Sequence, residues 1–317
     1  PITTVPEWSD VIDLKHPNPE LTAYLIDTLQ GWAEFGVDGF RCDVASLLPQ
    51  DFWLQARQAV AQVKPGVIWL AESVHAGFVG HRRANGLSGL SDSEIYAAFD
   101  LTYDYDIWPI WQLAVQGKIT VRRYVEMLRF QECIYPANFI KMRCVENHDQ
   151  ARIMRIASSQ RQATAWTGFA AFNRGPFLIY AGQESASRHT PSLFEIDKVE
   201  WGNYSLQPLL ARLAKLKKDP AMVTGKFEIT HSDPAIQAAW ELPGKSLYGV
   251  FNVSGKQGYV LTSLPDGNYK DVLTDETVSV RGSKLLLPES IFILRAPELM
   301  MLRPAYCELL DYNFTGR

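Results

Sequence analysis

Short apolar runs alternate with longer amphipathic stretches over the first two thirds of the chain. The runs are VDGFRCDVA (37–45), VIWLAES (67–73), IYAAFDLTY (95–103), FIKMRCVEN (139–147) and PFLIYAG (176–182). Each is rich in Val, Ile, Phe and Tyr and is flanked by Gly, Pro or Asp, as strands buried in a parallel sheet are. The stretch PELTAYLIDTLQGWAEF (19–35) spaces Leu21, Leu25, Leu29 and Trp32 at helical intervals behind an opening proline. Helices are also predicted over 50–63, as a pair around 107–132, over 150–173 and over 205–218. Five β–α units in series imply a parallel sheet, doubly wound or barrel-like. From about Gly225 the rhythm changes to eight short strands punctuated by turns such as PDGN (265–268) and RGS (281–283), the pattern of a small antiparallel β region. The last stretch, 298–317, fits neither pattern. The predicted domains are 1–222, 223–297 and a tail, 298–317, without an assigned role.

Composition narrows the function classes. The 317 residues are 47% hydrophobic and 21% charged, with a formal charge of −4, so no basic field exists to attract a nucleic acid. Aromatics reach 12%, which a large core explains more readily than sugar-stacking surfaces. No apolar run approaches the ~18 residues of a membrane span. The opening PITTVPEWSD has no basic n-region and no apolar h-region. Cys42, Cys133, Cys144 and Cys307 are scattered, without a CxxC pair, and read as buried thiols. A cytoplasmic location is the expectation, and the oligomeric state is left open.

Catalytic groups of parallel α/β folds lie at the C-terminal ends of strands. Arg41 and Asp43 close the first run at i and i+2, on one face of the strand, opposite Phe40 and Cys42. Glu72 closes the second run. Glu146, Asn147, His148 and Asp149 close the fourth, and Glu184 follows the fifth. Bland readings stand beside these: an Arg41–Asp43 structural ion pair, a core His148, turn chemistry for Asn147. Four polar strand tips together favour a cleft. The chain has no GxSxG elbow, no glycine-rich phosphate loop and no zinc motif. Carboxylates with an Arg and a His suit acid–base work on a neutral polar substrate, and glycoside hydrolysis is built on paired carboxylates. Tyr103, Tyr105, Trp108 and Trp111 read mostly as core, with Tyr103 or Tyr105 as candidate subsite residues.

GFRCDVA, WLAES and VENHDQ follow one another with Asp43, Glu72 and Asp149 spaced 29 and 77 residues apart. In that order they resemble three conserved segments of the alpha-amylase superfamily, glycoside hydrolase family 13. GPFLIYAGQE (175–184) resembles its strand-8 segment, with Phe177 where the family usually has Pro. The stretch VPEWSDVIDL followed by NPEL resembles the return from the inserted domain into the barrel. The resemblance implies a (β/α)8 TIM-barrel catalytic domain, here truncated to strands 4–8, followed by a small antiparallel β-sandwich. It implies α-glucan or malto-oligosaccharide substrates. It also implies Asp43 as nucleophile, Glu72 as general acid and base, and Asp149 as transition-state stabiliser. Arg41 would hold Asp43 ionised, and His148 and Asn147 would bind the sugar. Glu72 would rest protonated, its proton favoured by neighbouring carboxylates and an apolar wall.

One departure from the family is large. The segment ending in Asn-His after strand 3 does not occur in these residues, so the chain reads as part of a longer enzyme that is inactive or aggregates alone. Calcium enters only through the resemblance, since no ligand set is visible and no metal-binding residue is assigned. An exo-acting α-glucosidase, a transglycosylase and a non-catalytic binding subunit are the alternatives. The last is disfavoured because all three carboxylates are present.

Overall fold

A computed structural model describes residues 12–297, so the tail at 298–317 and Cys307 lie outside the described residues. The chain packs as two compact units. The first takes the described residues up to Pro109 together with Met127–Met142; the second takes Ile110–Glu126 and the described residues from Arg143 on. In chain order the elements begin with α1 (Pro19–Phe35), β1 (Gly39–Cys42), α2 (Gln50–Val63), β2 (Ile68–Ala71), α3 (Ala76–Ala84) and α4 (Asp92–Ile95). β3 (Leu101–Tyr103), α5 (Trp108–Val115), α6 (Val121–Ile134), β4 (Lys141–Met142), α7 (Ile153–Ile156) and α8 (Gln160–Phe172) follow. α9 (Gln207–Leu216) and α10 (Pro220–Thr224) precede β5 (Lys226–His231), β6 (Ile236–Glu241), β7 (Ser246–Phe251) and β8 (Tyr259–Leu261). The series ends with β9 (Gly267–Lys270), β10 (Thr277–Val280), β11 (Lys284–Leu286) and β12 (Ile291–Ala296).

The first unit holds a parallel sheet in the order β1-β2-β3-β4. Phe40 pairs with Trp69 and Cys42 with Ala71, so the strands end level. Behind them Trp53 and Phe99 meet edge to face at 4.9 Å, and Trp69 packs on Phe99 at 6.1 Å. α1 starts where Asn18 accepts the Leu21 N–H at 3.1 Å, a cap worth about 1 kcal/mol. It stops at Gly36, whose φ of +112° is open to glycine at little cost. Its buried side is Leu25, Ile26, Leu29 and Ala33. Trp32, aligned with the leucines by spacing, instead faces solvent beside Phe35, because the packed face is turned toward Ile26 and Ala33.

The apolar runs mark the sheet but overstate its strands, which are two to four residues long. The fifth run forms no named strand. Its pairing is a single parallel bridge, Arg143 to Phe177, after which the chain turns through Gly182. The run is apolar by composition yet largely open, with Ile179 exposed, and it adds no ladder.

In the second unit the β region forms the antiparallel sheet β12-β7-β6-β5 and the two-stranded ladders β9–β10 and β8–β11. All eight predicted strands are present, and they share a core of Tyr248, Val250, Val280, Leu285 and Leu294. α8 lies close against this sheet. Gly168 permits the approach, since a Cβ there would stand 2.3 Å from Ile291 Cδ1. Phe169 and Phe172 each meet Phe251 at 5.4 Å, and the Trp240 indole donates to the Phe172 carbonyl at 2.7 Å. Cys42 and Cys144 are buried as expected, whereas Cys133 is exposed. Among the described residues no helix is long and apolar enough to cross a membrane.

Candidate active site

Level strand ends in the first unit bring three predicted residues together. The ladder continues past the strands, with Glu72 N–H donating to the Cys42 carbonyl and Ala45 N–H to the Glu72 carbonyl, both at 3.0 Å. One guanidinium then joins two carboxylates: Arg41 Nη1 pairs with Asp43 Oδ1, and Nη2 stands 3.1 Å from Glu72 Oε1. The second Glu72 oxygen accepts the Val44 N–H at 2.8 Å. Val44 sits at φ +41°, a strained conformation for a β-branched residue. The Glu72 side chain is 10% exposed and that of Asp43 75%, so one carboxylate is enclosed and the other open. Burial disfavours the Arg41 charge, but hydrogen bonds from Arg41 to Tyr103 and Asp43 and the charge of Glu72 outweigh it and raise its pKa. The sequence reading gave Arg41 to Asp43; the structure gives it to both. Neighbouring Cys42 is inert as a nucleophile, since burial pushes its thiol up to about 12.

The second unit carries the other predicted residues on the turn after Arg143. Asn147 is buried, and its side-chain oxygen accepts the Asp149 N–H at 3.0 Å. This is turn chemistry that orients Asp149. His148 is no core histidine: its side chain is 42% exposed, with Nε2 3.1 Å from Asp149 Oδ2. Glu146 points inward. Its oxygens take Arg152 Nη1 at 2.7 Å and the Ile153 N–H at 2.9 Å. Burial raises its pKa, and Arg152 pulls it back. Arg152 also donates to the carbonyls of Ala181 and His189, both at 2.8 Å, tying the Asp149 turn to the segment after the fifth run. Glu184 braces that segment by accepting the Gly182 N–H at 2.9 Å.

Two contacts of the first unit had no signal in the sequence, although Tyr103 itself is among the candidate subsite residues. The Tyr103 hydroxyl stands 3.4 Å from Arg41 Nε, with the guanidinium 5.5 Å from the ring centroid. The strand-end rule that selected Asp43 and Glu72 also covers Tyr103, the last residue of β3. Behind it lies the fully buried Lys141, paired with Asp92 and 3.2 Å from Asp106, donating to the Tyr103 carbonyl at 3.3 Å. Nothing local in the sequence announces that network. Burial lowers the Lys141 pKa, but the two aspartates outweigh it, so the ammonium stays charged. Among the described residues no group of His, Cys, Asp or Glu is set to hold a metal ion. The gathering of Asp92, Asp104 and Asp106 is organised around Lys141 and Gln131 and does not fit calcium.

Comparison with known proteins places the chain in a family. Residues 7–241 match the family described as alpha amylase, catalytic domain, and residues 228–294 match the bacterial alpha amylase C-terminal domain. An alpha-amylase from Lactobacillus plantarum superposes with a TM-score of 0.86 at 38% identity, over 92% of this chain and 69% of that one. A maltogenic alpha-amylase from Thermotoga neapolitana gives 0.78 at 31% identity with the same coverage. The intracellular maltogenic amylase of Bacillus subtilis is 28% identical over 180 residues, 56% of this chain and 29% of its own length. The cyclomaltodextrinase of Thermoanaerobacter pseudethanolicus is 24% identical over 290 residues, 88% of this chain and 48% of its own length. The chain thus spans half or less of these two curated relatives. It belongs to the alpha-amylase family, as part of the catalytic barrel followed by the C-terminal β region.

Proposed function

We propose that this protein is a retaining glycoside hydrolase cleaving α-glucosidic bonds of starch-like glucans or malto-oligosaccharides. The observation that carries the reading is the single Arg41 guanidinium joined to both Asp43 and Glu72 at adjacent strand ends. In the first step an Asp43 oxygen bonds to the anomeric carbon while the bond to the leaving oxygen breaks, and Glu72 gives that oxygen its proton. In the second, water attacks the anomeric carbon, passes a proton to Glu72 and releases Asp43. A carboxyl separation of ~5–5.5 Å suits this double displacement. Asp149, His148 and Asn147 act on the sugar undergoing cleavage, Asn147 by holding Asp149. Glu72 faces the Val44 N–H and the Arg41 guanidinium in this arrangement, and it must carry a proton when the leaving oxygen departs.

A glycosyl-enzyme intermediate can also pass to a sugar hydroxyl instead of water. The cyclomaltodextrin glucanotransferase of Niallia circulans, 24% identical over 280 residues, keeps transglycosylation as the second reading. A cytoplasmic location belongs to the same proposal, supported by the name of the Bacillus subtilis relative. So does a division of labour near residue 222 between a catalytic and a C-terminal domain.

The test is hydrolysis of a chromogenic malto-oligosaccharide by the full-length parent protein and by its Asp43→Ala and Glu72→Gln variants. Both variants should lose roughly 10³-fold or more in kcat, and the first product should keep its anomeric configuration. A folded protein inert on every α-glucan would overturn the assignment.

A further inference from the structure

The loop between Glu184 and α9 exposes more large apolar surface than its length requires. Phe194 is 78% exposed, Trp201 53% and Tyr204 45%. Trp201 and Tyr204 lie nearly parallel, 22° apart with ring centroids at 6.3 Å. Each residue nonetheless keeps about half of its surface open to solvent. Tyr204 is held at φ +55°, an unusual conformation for a bulky residue, which persists only where its surroundings fix it.

Those surroundings are well defined. Leu206 N–H donates to the Glu184 carbonyl at 2.8 Å, and Gln207 N–H to the Tyr204 carbonyl at 3.1 Å. Gly202 lies beside Ser185, where a Cβ would make an ordinary contact of 3.4 Å with its side chain. At the other end His189 Nε2 meets Asp197 Oδ2 at 2.8 Å, and Arg152 holds the His189 carbonyl. The same Arg152 binds Glu146, three residues before Asp149. The aromatic pair is therefore built on the scaffold that supports the Asp149 turn. Exposed aromatic faces of this kind mark ligand contacts in soluble proteins.

We infer that Trp201 and Tyr204 form a stacking platform for glucosyl units of an α-glucan chain, beyond the sugar undergoing cleavage. The inference rests on the α-glucan reading above. The C–H face of a glucose ring is flat and apolar and suits an aromatic face, while its hydroxyls remain in water. The parallel rings offer two such contacts in succession, which favours a polymer over a single sugar.

The experiment is affinity electrophoresis in native gels containing amylopectin, with the Glu72→Gln background used throughout to prevent digestion. Trp201→Ala and Tyr204→Ala should each weaken retardation by roughly three- to tenfold. Trp201→Phe should restore most of it, and melting curves should show every variant folded. Retardation unchanged in both alanine variants, while the unmutated protein hydrolyses amylopectin, would overturn the platform alone. No retardation and no hydrolysis by the unmutated protein would remove the α-glucan reading and the platform together. A change of oligomeric state on Trp201→Ala, seen by light scattering with retardation intact, would also overturn it, making the surface an interface between copies.

Discussion

Arg41 and Arg152 are both guanidinium groups paired to carboxylates at the ends of strand runs, one in each unit. Arg152 is fully buried, and Glu146, two carbonyls and the Tyr180 ring at 4.4 Å occupy it on every side. Arg41 keeps 29% of its side chain exposed and shares itself between an open and an enclosed carboxylate. The first arrangement is buried away from any substrate. The second leaves Asp43 accessible beside an enclosed Glu72. Charge pairing alone does not separate the two arrangements; the exposure of the pair does.

Arg152→Met breaks that comparison most severely. It strands a buried carboxylate and should cost about 3–5 kcal/mol of stability by denaturant titration. Arg41→Met should cost less than about 1 kcal/mol of stability yet lower kcat by roughly 10²–10³, as loss of a group fixing charge at a reacting centre does. Comparable instability in both variants would erase the distinction. Tyr103→Phe removes only the hydroxyl partner of Arg41. A fall in kcat of about 3- to 10-fold is expected, with an unchanged melting temperature, and an unaltered kcat would show that the hydroxyl does not position Arg41.

Lys217 sharpens the contrast from the other side, because it is a cation without a carboxylate. Its Nζ donates to the Asn173 carbonyl at 2.8 Å. Burial, then the charge of Arg143, pushes its pKa down to about 7 from 10.5. The folded protein therefore releases this proton before the unfolded chain does. The Lys217 contribution should make stability rise with pH between about 7 and 10.5, by on the order of 1 kcal/mol after screening. Lys217→Met should remove that rise from denaturation midpoints collected across the window.

Legibility followed locality. Helices α1 and α2 and all eight strands of the β region could be read from periodicity and turn residues, because those signals lie within a few positions of the element. Strand ends supplied Arg41, Asp43 and Glu72, since apolar stems with polar tips are a short-range pattern. The fifth run misled because an apolar composition fixes neither pairing nor burial, and Ile179 within it is exposed. Trp32 misled because spacing gives the width of a helix face and not its rotation against α2. Tyr103 and Lys141 depend on partners tens of residues away: Arg41 for one, Asp92 and Asp106 for the other. The meeting of Arg41 and the Val44 N–H on the Glu72 carboxylate joins residues tens of positions apart, and no local pattern shows it.

The glycine at 168 has a bearing on how this protein can be cut. By letting α8 press onto β12, it commits Phe169 and Phe172 to rings supplied from beyond residue 226. A stop codon near Gly225 would release more than an appendage. It would uncover one flank of a barrel helix and leave the Phe172 carbonyl without its indole partner. The β region is thus a wall of the enzyme rather than a detachable module, and shortened forms or chimaeras should keep it joined to α8.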